Sequence, residues 1–133
     1  MQIRKDEETI MSKEAIIAKK APAAVGPYSH ANRVGDLLFI SGQLPLRDGE
    51  IVTDVEEATE ASILNLKIVL EDQGLTLDNV VKTLVFVKDM GDFAKINAVY
   101  AKYFTSNFPA RSLVEVARLP KDAVVEIEAV AAY

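Results

Sequence analysis

The sequence predicts an α+β fold: one mixed β-sheet with two helices packed on one face. Three observations lead there. Two segments repeat apolar residues at helical spacing, and the rest of the apolar content lies in short runs rich in β-branched residues. These segments follow the order β-β-α-β-α-β-β, which mixes strands and helices without strict alternation. The chain has 133 residues, half of them hydrophobic, enough to close one core and no more.

Each element has its own signal. "EAIIA" (14–18) is a short strand. "APAAVGPYSHA" (21–31) is punctuated by proline and glycine and reads as a loop. "DLLFISGQLPL" (36–46) is a strongly apolar strand broken at Gly42, and the Asp-Gly of "RDGE" (47–50) marks a tight turn. A helix spans 54–74, with Val55, Thr59, Ile63, Leu66, Val69 and Leu70 as its apolar stripe. Asp54 is placed to cap it, Glu57 follows three residues later as in a capping box, and Gly74 is placed to end it. "VVKTLVFVKDM" (80–90) reads as a central strand. The second helix spans 91–104, with Phe93, Ile96, Tyr100 and Phe104 at helical spacing. Strands at 111–119 and 124–133 follow, separated by "PKD".

Composition excludes several chemistries. There is no cysteine, which removes disulfides, thiolate metal sites and a cysteine nucleophile. A single histidine, His30, removes any multi-histidine zinc site and any Ser-His-Asp triad not built on it. The net charge of −5 and the lack of a lysine/arginine run argue against a nucleic-acid surface. No apolar run approaches a membrane span, and the charged first residues lack a signal-peptide core, so a soluble cytoplasmic protein is expected. "MSKEAIIAKK" reads as a natural start at Met11. Residues 1–10 are therefore taken as an extension or cloning remnant, and 11–133 as a single domain.

Strand alternation points Val125, Ile127, Ala129 and Ala131 one way and Glu126, Glu128 and Val130 the other. In the preceding strand Ser112, Val114 and Val116 oppose Arg111, Leu113, Glu115 and Ala117. With both helices on one side, the other face is bare, apolar and thinly charged. Such a face implies a homo-oligomer, with Arg111 and a strand glutamate near its seam.

Several polar residues then stand out, each with two readings. Arg111, after Pro109 and before an apolar run, is either a solvated strand end or a fork for a carboxylate or phosphate. Glu126 is either the wet face of a strand or, if desolvated, a general acid/base. Asn97, at the edge of an apolar stripe, either ties helix to sheet or faces a ligand. Tyr28 is presented by the rigid Gly26-Pro27 loop, and His30 is read as solvent-facing. At Gly42, in "ISGQ", the backbone could approach a ligand closely. Together these residues describe a small anion pocket with one acid and no cofactor.

Four segments carry a resemblance: "APAAVGPYSHA", "FISGQLPL", "VVKTLVFVKDMGDFAKINAVYAKYF" and "PARSLVEVARLPKDAVVEIEAVA". In this order and spacing, over about residues 15–132, they resemble the RidA/YjgF family of reactive intermediate deaminases. The resemblance implies a chorismate-mutase-like fold and a homotrimer, with three sheets forming a barrel-like centre and active sites in the clefts between subunits. It implies hydrolysis of 2-aminoacrylate/2-iminopropanoate and 2-iminobutanoate to 2-oxo acids and ammonia, with no cofactor and no metal. Carried over by position, Arg111 binds the substrate carboxylate, Glu126 handles the attacking water and Tyr28 lines the pocket. Gly42 supplies a backbone contact with Ser41 beside it, and Asn97 faces the site from the second helix. Leu113 stands where many members have cysteine, so a thiol is not required here, although its backbone N–H remains a candidate ligand contact. His30 replaces a common glutamine and receives no role. The resemblance also leaves a second class of function open: a carboxylate-binding or chaperone-like protein without turnover, or a ribonuclease and translation inhibitor.

Overall fold

The computed structural model describes residues 12–133. The expectation for residues 1–10 lies outside the described residues. The main sheet has six strands in the order β1-β2-β3-β8-β6-β7. These are β1 (Glu14–Ile16), β2 (Ala31–Val34), β3 (Leu37–Gln43), β6 (Val80–Val87), β7 (Ala110–Glu115) and β8 (Val125–Ala132). A separate small hairpin is formed by β4 (Leu46–Arg47) and β5 (Glu50–Ile51). It turns at Asp48 and Gly49, both at positive φ, as the Asp-Gly signal requires. Only the β6–β7 pair is parallel, so the sheet is mixed.

Two helices, α1 (Val55–Asp72) and α2 (Phe93–Tyr103), cover one face. The Asp54 side chain accepts the Glu57 N–H at 3.0 Å and caps α1. The chain leaves α1 through Gly74, whose φ of 72° suits glycine. Of the predicted α1 stripe, Thr59, Ile63, Leu66, Val69 and Leu70 are fully enclosed and Val55 is partly buried. Burying each such apolar side chain contributes roughly 1.5–3 kcal/mol. From the sheet, Val85, Val87, Val125, Ile127 and Ala131 meet them at 0% exposure. The alternation read in β8 is observed: its odd-numbered residues from Val125 to Ala131 are buried, and Glu126, Glu128 and Val130 are only partly covered.

The fold departs from the sequence reading in several places. β2 begins inside the expected loop and was not foreseen; its residues pair with both β1 and β3. β1 stops at Ile16, and Ile17 is 60% exposed. The long apolar segment divides: β3 ends at Gln43, and the chain enters the small hairpin at Leu46. β6 ends at Val87 and is followed by a 3-10 turn at Met90–Asp92. β7 ends at Glu115, well short of 119. Phe93, expected on the apolar stripe of α2, lies 41% exposed, whereas Val99 is buried with Ile96 and Tyr100. His30, expected at the surface, is only 4% exposed. The Ala18 N–H reaches its Nδ1 and the Pro22 carbonyl its Nε2, so the pairing supplied by an earlier segment makes its burial tolerable.

Candidate active site

The register of the sheet decides where the chemistry lies. In β6–β8, Phe86 opposes Glu126 and Leu84 opposes Glu128. In β6–β7, Thr83 aligns with Arg111 and Phe86 with Val114. Thr83, Val85 and Val87 are buried beneath the helices. Arg111 and Leu113 therefore share the helix-covered face, while Glu126, Glu128 and Val114 share the bare one. Within one chain, the cation and the acid stand on opposite sides of the sheet.

The cationic half lies where α2 meets the edge strand β7. Arg111 Nη1 donates to Asn97 Oδ1 at 2.8 Å. Its guanidinium carbon stands 4.8 Å from the Tyr100 ring centroid and 5.9 Å from that of Phe93. Phe93, Asn97 and Tyr100 follow at i, i+4 and i+7, so one face of α2 supplies the whole cradle. Tyr100 is itself held: its hydroxyl is 2.8 Å from Thr83 Oγ1, and its ring stacks on Phe104 at 4.4 Å. Burial pushes the Tyr100 phenol above its usual range, against the lowering effects of the Thr83 hydrogen bond and the Arg111 charge. Among the described residues Arg111 has no carboxylate partner. One of its five N–H donors is thus held by a neutral amide while its charge remains uncompensated. The side chain of Leu113 is partly buried against the core, two residues along the same face.

The acidic half is a cleft of about 490 Å³ on the bare face, with Tyr28, Ser41, Gly42, Phe86, Lys121 and Glu126 among its walls. It exists because β3 is irregular. The β3–β8 register slips between Ile40 and Gln43, which places Ser41 and Gly42 in a bulge beside Glu126. A Cβ at Gly42 would lie 2.7 Å from the Glu126 carboxyl carbon, so any larger residue would push that carboxylate out of its present place. Ser41 anchors the loop: its N–H donates to the His30 carbonyl at 2.9 Å and its Oγ–H to the Ser29 carbonyl at 2.7 Å. Tyr28 is about half exposed, and its hydroxyl accepts the Val25 N–H at 3.4 Å. Burial raises the Glu126 carboxyl above the usual carboxylate range, and the nearby Glu128 charge raises it further.

The structure thus gathers the sequence-read residues into two groups, Tyr28–Ser41–Gly42–Glu126 and Asn97–Arg111–Leu113. Three neighbours were not foreseen as site residues. Tyr100 was read as core, although its spacing from Asn97 puts both on one helix face. Thr83 orients Tyr100 from β6. Lys121 lines the acidic cleft from a turn in which it and Asp122 take positive φ, 58° and 55°. Among the described residues, no group of three His, Cys, Asp or Glu side chains could hold a metal ion. No helix among them is long and apolar enough to cross a membrane.

A mixed sheet backed by two helices, with an arginine lacking a carboxylate partner at its edge and a half-buried glutamate on its bare face, defines a small α+β protein with two polar clusters. Comparison with known proteins then gives its family. The Endoribonuclease L-PSP family profile matches residues 18–133. A RutC family protein of Pyrococcus abyssi is 50% identical over 124 residues, covering 91% of this chain and 98% of that protein. The 2-iminobutanoate/2-iminopropanoate deaminase of Escherichia coli is 48% identical over 126 residues, covering 91% and 98%. Among solved structures, the YjgF gene product of E. coli superposes with a TM-score of 0.86 at 47% identity, covering 90% of this chain and 98% of that one. E. coli TdcF, solved with bound serine, superposes with a TM-score of 0.86 at 41% identity, covering 90% and 98%. The chain belongs to the Endoribonuclease L-PSP family, the RidA/YjgF family that its motifs resemble.

Proposed function

We propose that the protein hydrolyses reactive enamine/imine acids, such as 2-iminopropanoate and 2-iminobutanoate, to 2-oxo acids and ammonia. The observation that carries the reading is the uncompensated Arg111 guanidinium, poised by Asn97 and Tyr100 at the sheet edge. The 48% identity to a protein named for this activity supports it, as does the serine bound by TdcF, which is an amino acid with a carboxylate of its own. In this reading the active form is a homotrimer. Arg111 and Asn97 of one copy meet Tyr28, Ser41, Gly42 and Glu126 of the next, because one chain presents the two halves on opposite faces.

The chemistry follows from these groups alone. Arg111 grips the substrate carboxylate through two parallel N–H donors and fixes the imine carbon toward Glu126. The Glu126 carboxylate takes a proton as the oxygen of water bonds to that carbon. The resulting carbinolamine nitrogen receives the proton, the C–N bond breaks, and ammonia leaves as the hydroxyl gives up its proton to form the oxo acid. A carboxyl raised by burial is a better proton carrier near neutral pH than an exposed one. Tyr28 closes the pocket on the acidic side and its phenol supplies a further donor. The Leu113 backbone N–H is assigned to the substrate carboxylate.

The test couples a threonine dehydratase to the purified protein and follows oxo-acid release. Wild type should accelerate release. Arg111→Ala should lower kcat/KM roughly 10- to 150-fold, the equivalent of losing about 1.5–3 kcal/mol of charged hydrogen bonds, while leaving thermal unfolding unchanged. Tight oxo-acid binding without acceleration would instead make the protein a carboxylate-binding module. Cleavage of RNA without effect on imines would favour the endoribonuclease reading, which two acidic side chains in the cleft disfavour.

A further inference from the structure

His30 is the chain's one histidine, almost wholly buried, and the mechanism above does not use it. Its ring is clamped between two backbone groups. The Ala18 N–H donates to Nδ1 at 2.9 Å, and Nε2 lies 2.8 Å from the Pro22 carbonyl oxygen. An amide N–H only donates and a carbonyl only accepts. The two partners therefore select one species, the neutral ring with its proton on Nε2. The backbone of the same residue faces the bulge, since the His30 carbonyl accepts the Ser41 N–H and the Ser29 carbonyl accepts the Ser41 hydroxyl. One residue thus ties the 18–22 segment to Ser41, and Tyr28 stands two positions before it. A cavity of about 30 Å³ is lined by His30, Tyr28, Gly42 and Gln43 among others.

We propose that His30 is a positioning residue: its ring pins the 18–22 segment and its backbone carbonyl pins Ser41, which together seat the loop carrying Tyr28 beside the Ser41–Gly42 bulge. As a statement about catalysis, this rests on the deaminase reading. Ala18 is 1% exposed, so without the ring its amide would be left with no partner.

Glutamine offers one acceptor and one donor at nearly the ring's spacing, whereas alanine offers neither. Oxo-acid release is therefore measured for wild type, His30→Gln and His30→Ala. His30→Gln should stay within about twofold of wild type in kcat/KM, and His30→Ala should show a KM raised about fivefold or more with kcat little changed. An unaltered His30→Ala overturns the proposal, as does a His30→Gln as impaired as His30→Ala. Ring ¹⁵N spectra of wild type, unambiguous with one histidine, provide a readout independent of activity. They should show a bare Nδ1 and a protonated Nε2, with the Ala18 amide protected from exchange in wild type and His30→Gln and exposed in His30→Ala. A proton on Nδ1 at neutral pH, or an Ala18 amide indifferent to the substitutions, overturns the proposal even if no oxo acid is released. Absence of oxo-acid release with the expected spectra sinks the deaminase reading and leaves the clamp standing.

Discussion

Glu126 and Arg111 stand on opposite faces of the sheet, and each is shaped by different neighbours. Burial raises the Glu126 carboxyl, so its ionised form opposes folding. That cost is absent below the ordinary glutamate pKa of about 4.3 and grows to its full size as pH rises through the raised value. Glu126→Gln removes it. The variant should therefore melt at a higher temperature than wild type at pH 7, with the two curves converging below about pH 4, as scanning calorimetry would show. Its kcat should fall while KM changes little; a change confined to KM would make Glu126 a binding group. Both residues were legible because a charge in an apolar strand is conspicuous in any sequence. His30 was misread for the opposite reason: nothing near it in the chain reveals that Ala18, twelve residues earlier, supplies the amide that makes its burial tolerable.

Elements were legible in proportion to their periodicity. The stripe of α1 and the alternation of β8 carry their burial pattern in the sequence, and both are seen. The α1 cap was equally local. Asp54→Ala should remove the acceptor for the Glu57 N–H and destabilise the fold by about 1 kcal/mol. A chemical denaturation curve would register this, with the positions of Arg111 and Glu126 below the unfolding transition unaffected. β2 was missed because "ANRV" has no strand pattern of its own and becomes a strand only between β1 and β3. The bulge in β3 had a partial signal, the glycine in an apolar run. That it opens beside Glu126 follows from the register with β8, which no local rule supplies.

At the scale of the molecule, the sheet has one face under helices and one face carrying Phe39 and Val114, both 40% exposed or more. A bare apolar face and two polar groups on opposite faces of the sheet are two demands that the proposed trimer would meet at once. Complementation tests this. Arg111→Ala and Glu126→Gln, each impaired when assayed alone, are unfolded, mixed in equal amounts and refolded. If each site takes its arginine from one subunit and its glutamate from the next, random assembly restores about a quarter of wild-type sites. Recovered activity near that level, with a trimer mass by sedimentation, is the expected outcome. No recovery in a mixed trimer would place both groups in one subunit's site.

By itself the sequence determined the α+β class, the two helices, the outward and inward residues of β8 and the types of group available: an arginine at a strand entrance, glutamates alternating along the last strand, no thiol. These follow from short-range rules, since periodicity, capping and turn chemistry act within a few residues of one another. The tertiary structure alone decided that Arg111 and Glu126 face opposite sides, that Tyr100 and Asn97 hold the arginine, and that His30 is buried. Those outcomes depend on strand register and on partners distant in the chain, and a shift of a single residue in pairing would reverse every face.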